Sequence, residues 1–270
     1  MRLADYLERI QFNGDPAVNA ETLCAIHHQH LQHIPYENLD VQLGRPLDFD
    51  PDRIFHKLVH ERRGGWCYEM NGLFGWALTQ IGFDVTRMSG GVMREQQGDK
   101  QLGNHLILEV DLAGTKWLAD VGLGDGVRYP IPIRTDTYDQ AGLQYSLTRV
   151  DGDYWRFHNQ PFSKVTSFDF KHSEADEAEL AEQCRWLQTD AQSPFKMALI
   201  ANRFTERTIE IQLGKVHTTV TSQGTRSRVL PDLKALQSNL ESIFGITQDI
   251  SPAWDNIAAS HEKHFAKPDP

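Results

Sequence analysis

Arg62-Arg63-Gly64-Gly65-Trp66-Cys67-Tyr68-Glu69-Met70-Asn71 places one cysteine where a glycine-bearing loop runs into an apolar, helix-forming segment. A helix start offers free backbone N–H groups and the positive end of the helix dipole, and both favour a thiolate over a thiol. The helix is predicted from near Cys67 through Leu73, Phe74, Trp76, Ala77 and Leu78 to Ile81, with Gly82 as its stop. Downstream lie His105, in Gly103-Asn104-His105-Leu106-Ile107-Leu108, and Asp120, in Trp117-Leu118-Ala119-Asp120-Val121-Gly122. Cys, His and Asp are the parts that an activated thiol needs.

Outward from this stretch, the first ninety residues read mostly as helices. Asn19 is an N-cap for a segment through Leu31, and Asp50-Pro51 opens a helix that carries Ile54, Phe55 and Leu58 and ends before Gly64. From about Val85 the pattern changes to strands. Leu106–Val110 and Lys116–Val121 flank Gly114; Leu143–Val150 and Tyr154–His158 flank a two-residue Asp151-Gly152 turn. Pro130 and Pro132 mark an irregular connection. Since 105 and 120 lie almost symmetrically about Ala113, the hairpin is expected to set His105 and Asp120 side by side across neighbouring strands. After about Ser173 the chain is mixed: Ser173 caps an acidic helix through Leu187, Thr208–Leu213 and Lys215–Thr221 pair about Gly214, and Leu233, Leu236, Leu240 and Ile243 line a helix ending at Gly245. The tail Ala266–Pro270 is expected to fray.

Composition narrows the function classes. At 270 residues, 40% hydrophobic and 10% aromatic, the chain suits a folded protein of two or three subdomains. It has no apolar run of membrane-spanning length, and charges interrupt Met1-Arg2-Leu3-Ala4-Asp5-Tyr6-Leu7-Glu8 where a signal peptide needs an apolar core. A cytoplasmic enzyme is the simplest reading. A net charge of −10 disfavours nucleic acid and anionic membrane as partners, though local N–H groups still suit a phosphate-bearing cofactor. The three cysteines are widely spaced and form no C-x-x-C pair, which argues against a disulfide framework and a zinc site. His27, His28, His30 and His33 drift round a helix without an acidic or cysteine partner, so no metal is expected and a solvated helix face is the reading. Gly90-Gly91 and the glycines of residues 122–126 read as turns or as points of close approach to a ligand.

Together these residues resemble the arylamine N-acetyltransferase family. Ile34-Pro35-Tyr36-Glu37-Asn38-Leu39 is similar to its Pro-Phe-Glu-Asn-Leu segment, and Arg63-Gly64-Gly65-Trp66-Cys67-Tyr68-Glu69 to its Arg-Gly-Gly-x-Cys-x-Glu signature. Gly103-x-His105, Asp120-Val121-Gly122-x-Gly124 and Ser193-Pro194-Phe195 follow in order. The resemblance implies an α+β fold in three parts. These are an N-terminal helical bundle carrying the cysteine (residues 1–85), a central antiparallel β-barrel carrying His and Asp (86–172), and a C-terminal α/β lid (173–270). It implies acetyl-CoA as donor and an arylamine, arylhydrazine or arylhydroxylamine as acceptor, with a ping-pong mechanism. His105 takes the Cys67 proton and Asp120 orients the ring.

Arg63 and Glu69 are expected to fix the helix start. Backbone N–H groups near Cys67 and Gly103 are oxyanion candidates. Tyr36, Tyr68, Asn104, Leu123 and Phe204 are candidates for the acceptor pocket. Gly103, Gly126, Trp186 and Gln192 are candidates for the CoA path. The expected assembly is a monomer or small homo-oligomer. Tyr36 stands where Phe is commoner, and Leu123 where bacterial members often carry an aromatic, which removes a stacking surface and bears on acceptor preference. The rivals are a transglutaminase- or papain-like thiol hydrolase, an amide synthase acting on a biosynthetic thioester, and a catalytically silent binding protein.

Overall fold

In the computed structural model, residues 1–47 and 49–264 are described, with His264 described in its backbone only; the tail Ala266–Pro270 lies outside them. Helices dominate the first third: α1 (Leu3–Arg9), α2 (Ala20–His33), α3 (Leu39–Gln42), α4 (Pro51–Phe55) and α5 (Cys67–Ile81). A short strand, β1 (Tyr36–Glu37), interrupts them. The sequence signals act as read. The Asn19 side chain accepts the Thr22 N–H, the Asp50 side chain accepts the N–H groups of Asp52 and Arg53, and Gly82 ends α5 at φ +108°. After α4 the chain winds on as a π-helical turn, His56–His60.

The middle of the chain is one eight-stranded antiparallel sheet. Its strands are β2 (Asp84–Val92), β3 (Leu102–Leu112), β4 (Thr115–Ala119), β5 (Ile131–Pro132), β6 (Asp136–Gln140), β7 (Leu143–Arg149), β8 (Trp155–His158) and β9 (Ser167–Phe170), with the short helix α6 (Arg94–Gln97) between β2 and β3. The spatial order is β5-β4-β3-β2-β9-β8-β7-β6. The two edge strands are sequence neighbours, and the Tyr138 hydroxyl of β6 donates to the Pro132 carbonyl of β5 at 2.6 Å. The sheet is therefore a nearly closed barrel. Its interior is filled by Met88, Ile107, Leu118, Leu147, Phe157, Phe168 and Phe170, all buried, and α5 packs against the outer face of β2 and β3, with Gly75 on Leu108.

The last third holds α7 (Glu177–Thr189), α8 (Pro194–Met197), β10 (Ile200–Phe204), β11 (Ile209–Leu213), β12 (Val216–Thr221), β13 (Gly224–Val229), α9 (Leu233–Asn239) and α10 (Trp254–His264). Its sheet runs β1-β10-β11-β12-β13, so a strand from the helical third supplies one edge, with Tyr36 opposite Asn202. A separate apolar cluster of Leu199, Leu230, Leu236, Leu240, Phe244 and Ile257 underlies it.

Several expectations need correction. The α7 cap is Asp176, whose side chain accepts the N–H groups of Ala178 and Glu179, rather than Ser173; Asp and Ser are nearly equal caps, and the register of the apolar face chooses between them. The Asp151-Gly152 turn is longer than two residues: Arg149 pairs with Trp155, and Val150 N–H donates to the Tyr154 carbonyl. The histidines of α2 are not a solvated face. His27 and His30 are fully buried and His28 nearly so. The α2 helix is covered on both sides, so helical drift around it leads into protein rather than water.

Candidate active site

Cys67 is the first residue of α5 and is only 2% exposed. Glu69 reaches back to accept the Trp66 N–H at 3.3 Å, an N3 carboxylate satisfying an orphan donor of the first turn. The same carboxylate is gripped by the Lys57 ammonium at 2.8 and 2.9 Å. Lys57 also binds Asp40 at 2.8 Å, and Asp40 in turn binds Arg63. Glu69 touches the helix start directly, as expected, whereas Arg63 binds Asp40 and Glu61 and reaches that start only through the Asp40–Lys57–Glu69 chain, a buried network the sequence did not reveal.

The helix start alone does not acidify the thiol here. Burial pushes the Cys67 thiol up, and the nearby Asp120 charge adds to this; N–H groups of Leu106 and Tyr68 oppose it and are outweighed. A buried sulfur in this position ionises only if its proton stays close by on a base.

β3 carries the candidate base, His105. The β2–β3 register slips between Gly90 and Gly91: Gly90 faces His105 and Gly91 faces Leu102, so Gly103 and Asn104 bulge out of the ladder. Gly103 is in the left-handed region at φ +80°, and a Cβ there would lie 2.9 Å from Glu179 Cγ of α7; a side chain is excluded on both counts. The Asn104 side chain replaces the missing rung. Its oxygen accepts the Val92 N–H at 2.8 Å and its amide donates to the Val92 carbonyl at 3.2 Å. What Asn104 presents to Cys67 is its carbonyl, 4.0 Å from the sulfur.

His105 Nε2 lies 2.8 Å from Asp120 Oδ2, with both side chains 2% exposed. The predicted meeting is real, but the predicted route is not. The β3–β4 pairing stops at Leu108 opposite Ala119, so Asp120 has left the strand and no rung joins it to His105. Asn71, four residues after Cys67 on α5, captures the departing chain. Its side-chain oxygen accepts the Val121 N–H at 3.0 Å, while its amide donates to Asp120 Oδ1 at 2.7 Å and to the Leu106 carbonyl at 2.6 Å. Gly122 N–H also donates to Asp120 Oδ1, at 2.8 Å. Burial alone would raise the Asp120 carboxyl, but His105, Asn71 and Gly122 outweigh it and hold it below its ordinary range. The Nε2 proton is therefore donated to Asp120, and Nδ1 is left for proton chemistry. The ring edge faces Phe168 at 5.3 Å. Gly122 lies on Cys67 so closely that a Cβ there would sit 2.8 Å from Cys67 Cα and 2.5 Å from Asn71 Nδ2.

The other candidates fall in several places. Tyr36 is buried at the edge of β1 opposite Asn202, beside Gly124 of the loop that follows Asp120. Leu123 is half-buried in that loop against Gly126. Phe204 is buried on β10, with the Arg128 guanidinium 5.1 Å over its ring. Tyr68 donates its hydroxyl to the Gly103 carbonyl at 2.8 Å, and it lines a cavity of about 490 Å³ with Phe49, Ile54 and Trp76 along α5. Gly103 packs under α7, whereas Trp186 and Gln192 stand exposed further along α7 and beyond it. Asp125 is an unforeseen buried acid. Its carboxyl accepts from Asn159 at 3.2 Å, and burial raises it to about 6. Asn71 carried a signal that the i, i+4 spacing from Cys67 makes readable; Asp125, set between Gly124 and Gly126, carried none.

Among the described residues, no side chains gather into a metal-holding group, and no helix is long and apolar enough to cross a membrane. A sequence-family profile described as N-acetyltransferase matches residues 19–252. The arylamine N-acetyltransferase of Escherichia coli (strain K12) is 33% identical over 254 residues, covering 92% of this chain and 89% of that protein. The Salmonella typhimurium arylamine N-acetyltransferase / N-hydroxyarylamine O-acetyltransferase is 30% identical over 86% of this chain and 84% of its own length. Among solved structures, the M. smegmatis arylamine N-acetyltransferase superposes with a TM-score of 0.85 at 30% identity, covering 96% of this chain and 98% of that one. The Mycobacterium marinum enzyme in complex with CoA gives 0.85 at 26% identity, covering 96% and 99%. A helix that opens on a buried cysteine, a nearly closed barrel and a match along nearly the whole length agree: this chain belongs to the arylamine N-acetyltransferase family of acyltransferases.

Proposed function

We propose that this protein transfers the acetyl group of acetyl-CoA to an aromatic amine, hydrazine or hydroxylamine through a thioester on Cys67. The observation that carries the reading is the 2.8 Å His105–Asp120 pair, beside a buried cysteine held between the backbone at Asn104–Leu106 and Gly122. His105 Nδ1 takes the Cys67 proton, and Asp120 stabilises the imidazolium. The thiolate attacks the acetyl carbonyl, the bond to the CoA sulfur breaks, and that sulfur leaves with the proton held by His105. The amine then attacks acetyl-Cys67, His105 accepts its proton, and the Cys67 sulfur is released as the amide forms. Exchange between thioesters is nearly isoenergetic, so the protein's work is supply of the thiolate, orientation and stabilisation of the oxyanion.

The CoA-bound relative supports the donor. Tyr36 and Leu123, on or beside the loop that carries Asp120, support an acceptor site there; Trp186 and Gln192 are retained as candidates for CoA contacts on the α7 side. The three-part division at residues 85 and 172 remains our reading of the chain. The reaction needs a compartment holding acetyl-CoA and reduced thiols, which fits the cytoplasm. Intact mass after incubation with acetyl-CoA tests the mechanism. One acetyl addition is expected, and it should vanish in Cys67→Ala. Peptide cleavage without an adduct would favour a thiol hydrolase instead.

A further inference from the structure

A single buried side chain lies between the two ends of the loop that carries Asp120. His27, fully buried on α2, has Nε2 at 3.1 Å from the Asp120 carbonyl and Nδ1 at 2.9 Å from the Arg128 carbonyl. Residues 120–128 hold Asp120 itself, Gly122 against Cys67, Leu123, and Gly124 beside Tyr36 and Asn202. Burial lowers the ring to about 4, so at pH 7 it is neutral and its one N–H donates to one of these two carbonyls while the other nitrogen packs against the second; the ring is a wedge in the neck of the loop. Its other wall is α5, where Phe74 meets it edge-on at 5.5 Å. The far end of the loop is tied elsewhere as well. The Arg128 guanidinium donates to the Thr205 and Thr208 carbonyls of the β10–β11 turn, and the Arg128 and Tyr129 N–H groups donate to Gln140.

Without the ring, Asp120 would still be bonded to Asn71 and His105, but its main chain would lose its support from the α2 side. Loop glycines at 122, 124 and 126 give the segment no stiffness of its own. We infer that His27 is a positioning residue for the reaction. By fixing the Asp120 main chain relative to Arg128, it sets the height of the carboxylate under His105 and the shape of the acceptor loop. This inference rests on the Cys67–His105–Asp120 reading given above.

The test is the pH profile of Cys67 alkylation by iodoacetamide, together with single-turnover acetylation, in His27→Phe and His27→Gln. Phenylalanine fills the space and offers no donor; glutamine restores an N–H donor through its amide NH2. A misplacement of the dyad by a fraction of an ångström should slow both reactions in His27→Phe by about 10- to 100-fold at neutral pH, and move the alkylation onset to higher pH. His27→Gln should recover part of the loss. Far-UV circular dichroism should remain native. Profiles that superimpose on the wild type would overturn the inference, as would variants that both fail to fold, since the histidine would then act only in packing. If His27→Phe alone fails to fold, His27→Gln decides by the same profile. Acetyl transfer that survives Cys67→Ser would instead sink the cysteine reading itself, and so separates the two failures.

Discussion

Asp120 has two oxygens and three donors to serve. Oδ1 takes Asn71 and Gly122, and Oδ2 takes His105. This division makes an amide at 120 a severe test. Asn has one oxygen, and two donors on the Oδ1 side outbid one on the other. In Asp120→Asn the NH2 group therefore faces His105 Nε2, which must turn from donor to acceptor. The ring proton moves to Nδ1, the atom that receives the thiol proton in the proposed mechanism. Acetylation of Cys67 should fall on the order of 10³- to 10⁴-fold, with the fold intact by circular dichroism. A loss of less than tenfold in stopped-flow acetylation would show that the tautomer is not what Asp120 controls.

At the scale of elements, α5 starts where a buried ion network holds it. Lys57 sits between Asp40 and Glu69, and both acids are nearly inaccessible. Burial raises Glu69, and Lys57 only partly offsets this; Asp40 stays low because Lys57 and Arg63 outweigh its burial. Lys57→Met leaves Glu69 charged and alone, which should cost about 3–5 kcal/mol in urea unfolding at pH 7. Adding Glu69→Gln should recover most of that loss, because the stranded charge is gone. An equal loss in the single and double variants would place the effect in packing.

The same elements show what the sequence could tell and what it could not. Asn19, Asp50 and Gly82 mark helix ends by local chemistry, and local chemistry is legible. The β3–β4 turn at Ala113-Gly114 was legible too, and it puts His105 and Asp120 near each other. The rung-by-rung facing was not legible, because Asn71 pulls Asp120 off the strand from another element. The burial of His27 and His30 was hidden for a related reason. What covers α2 comes from Arg128, Asp120, Tyr6 and Phe74, the first two a hundred residues away.

At the scale of the whole molecule, two buried groups pull stability in opposite directions with pH. Asp125 is raised to about 6, so between the ordinary carboxylate range and pH 6 the folded state binds more protons than the unfolded one. Stability from this group falls as pH rises through that window, and above it the penalty is up to about 3 kcal/mol. His27 is lowered to about 4 by burial, so the unfolded state binds the extra proton. Stability from this group is full at neutral pH and is lost as pH falls from about 6.5 through 4. In the wild type the two partly cancel between pH 4 and 6. Asp125→Asn should raise the melting temperature at pH 7 and steepen its fall on acidification. A melting curve series parallel to the wild type at every pH would refute the assignment of that compensation to Asp125.

The strand Tyr36–Glu37 has a consequence for how the protein is made. Its partners on β10 are specified about 165 residues later. At roughly 5–20 residues per second, the nascent chain carries an unmated backbone edge for about ten to thirty seconds before Asn202 leaves the ribosome. Holding that edge back from neighbouring chains during synthesis is a burden this topology places on the cell each time a copy is translated.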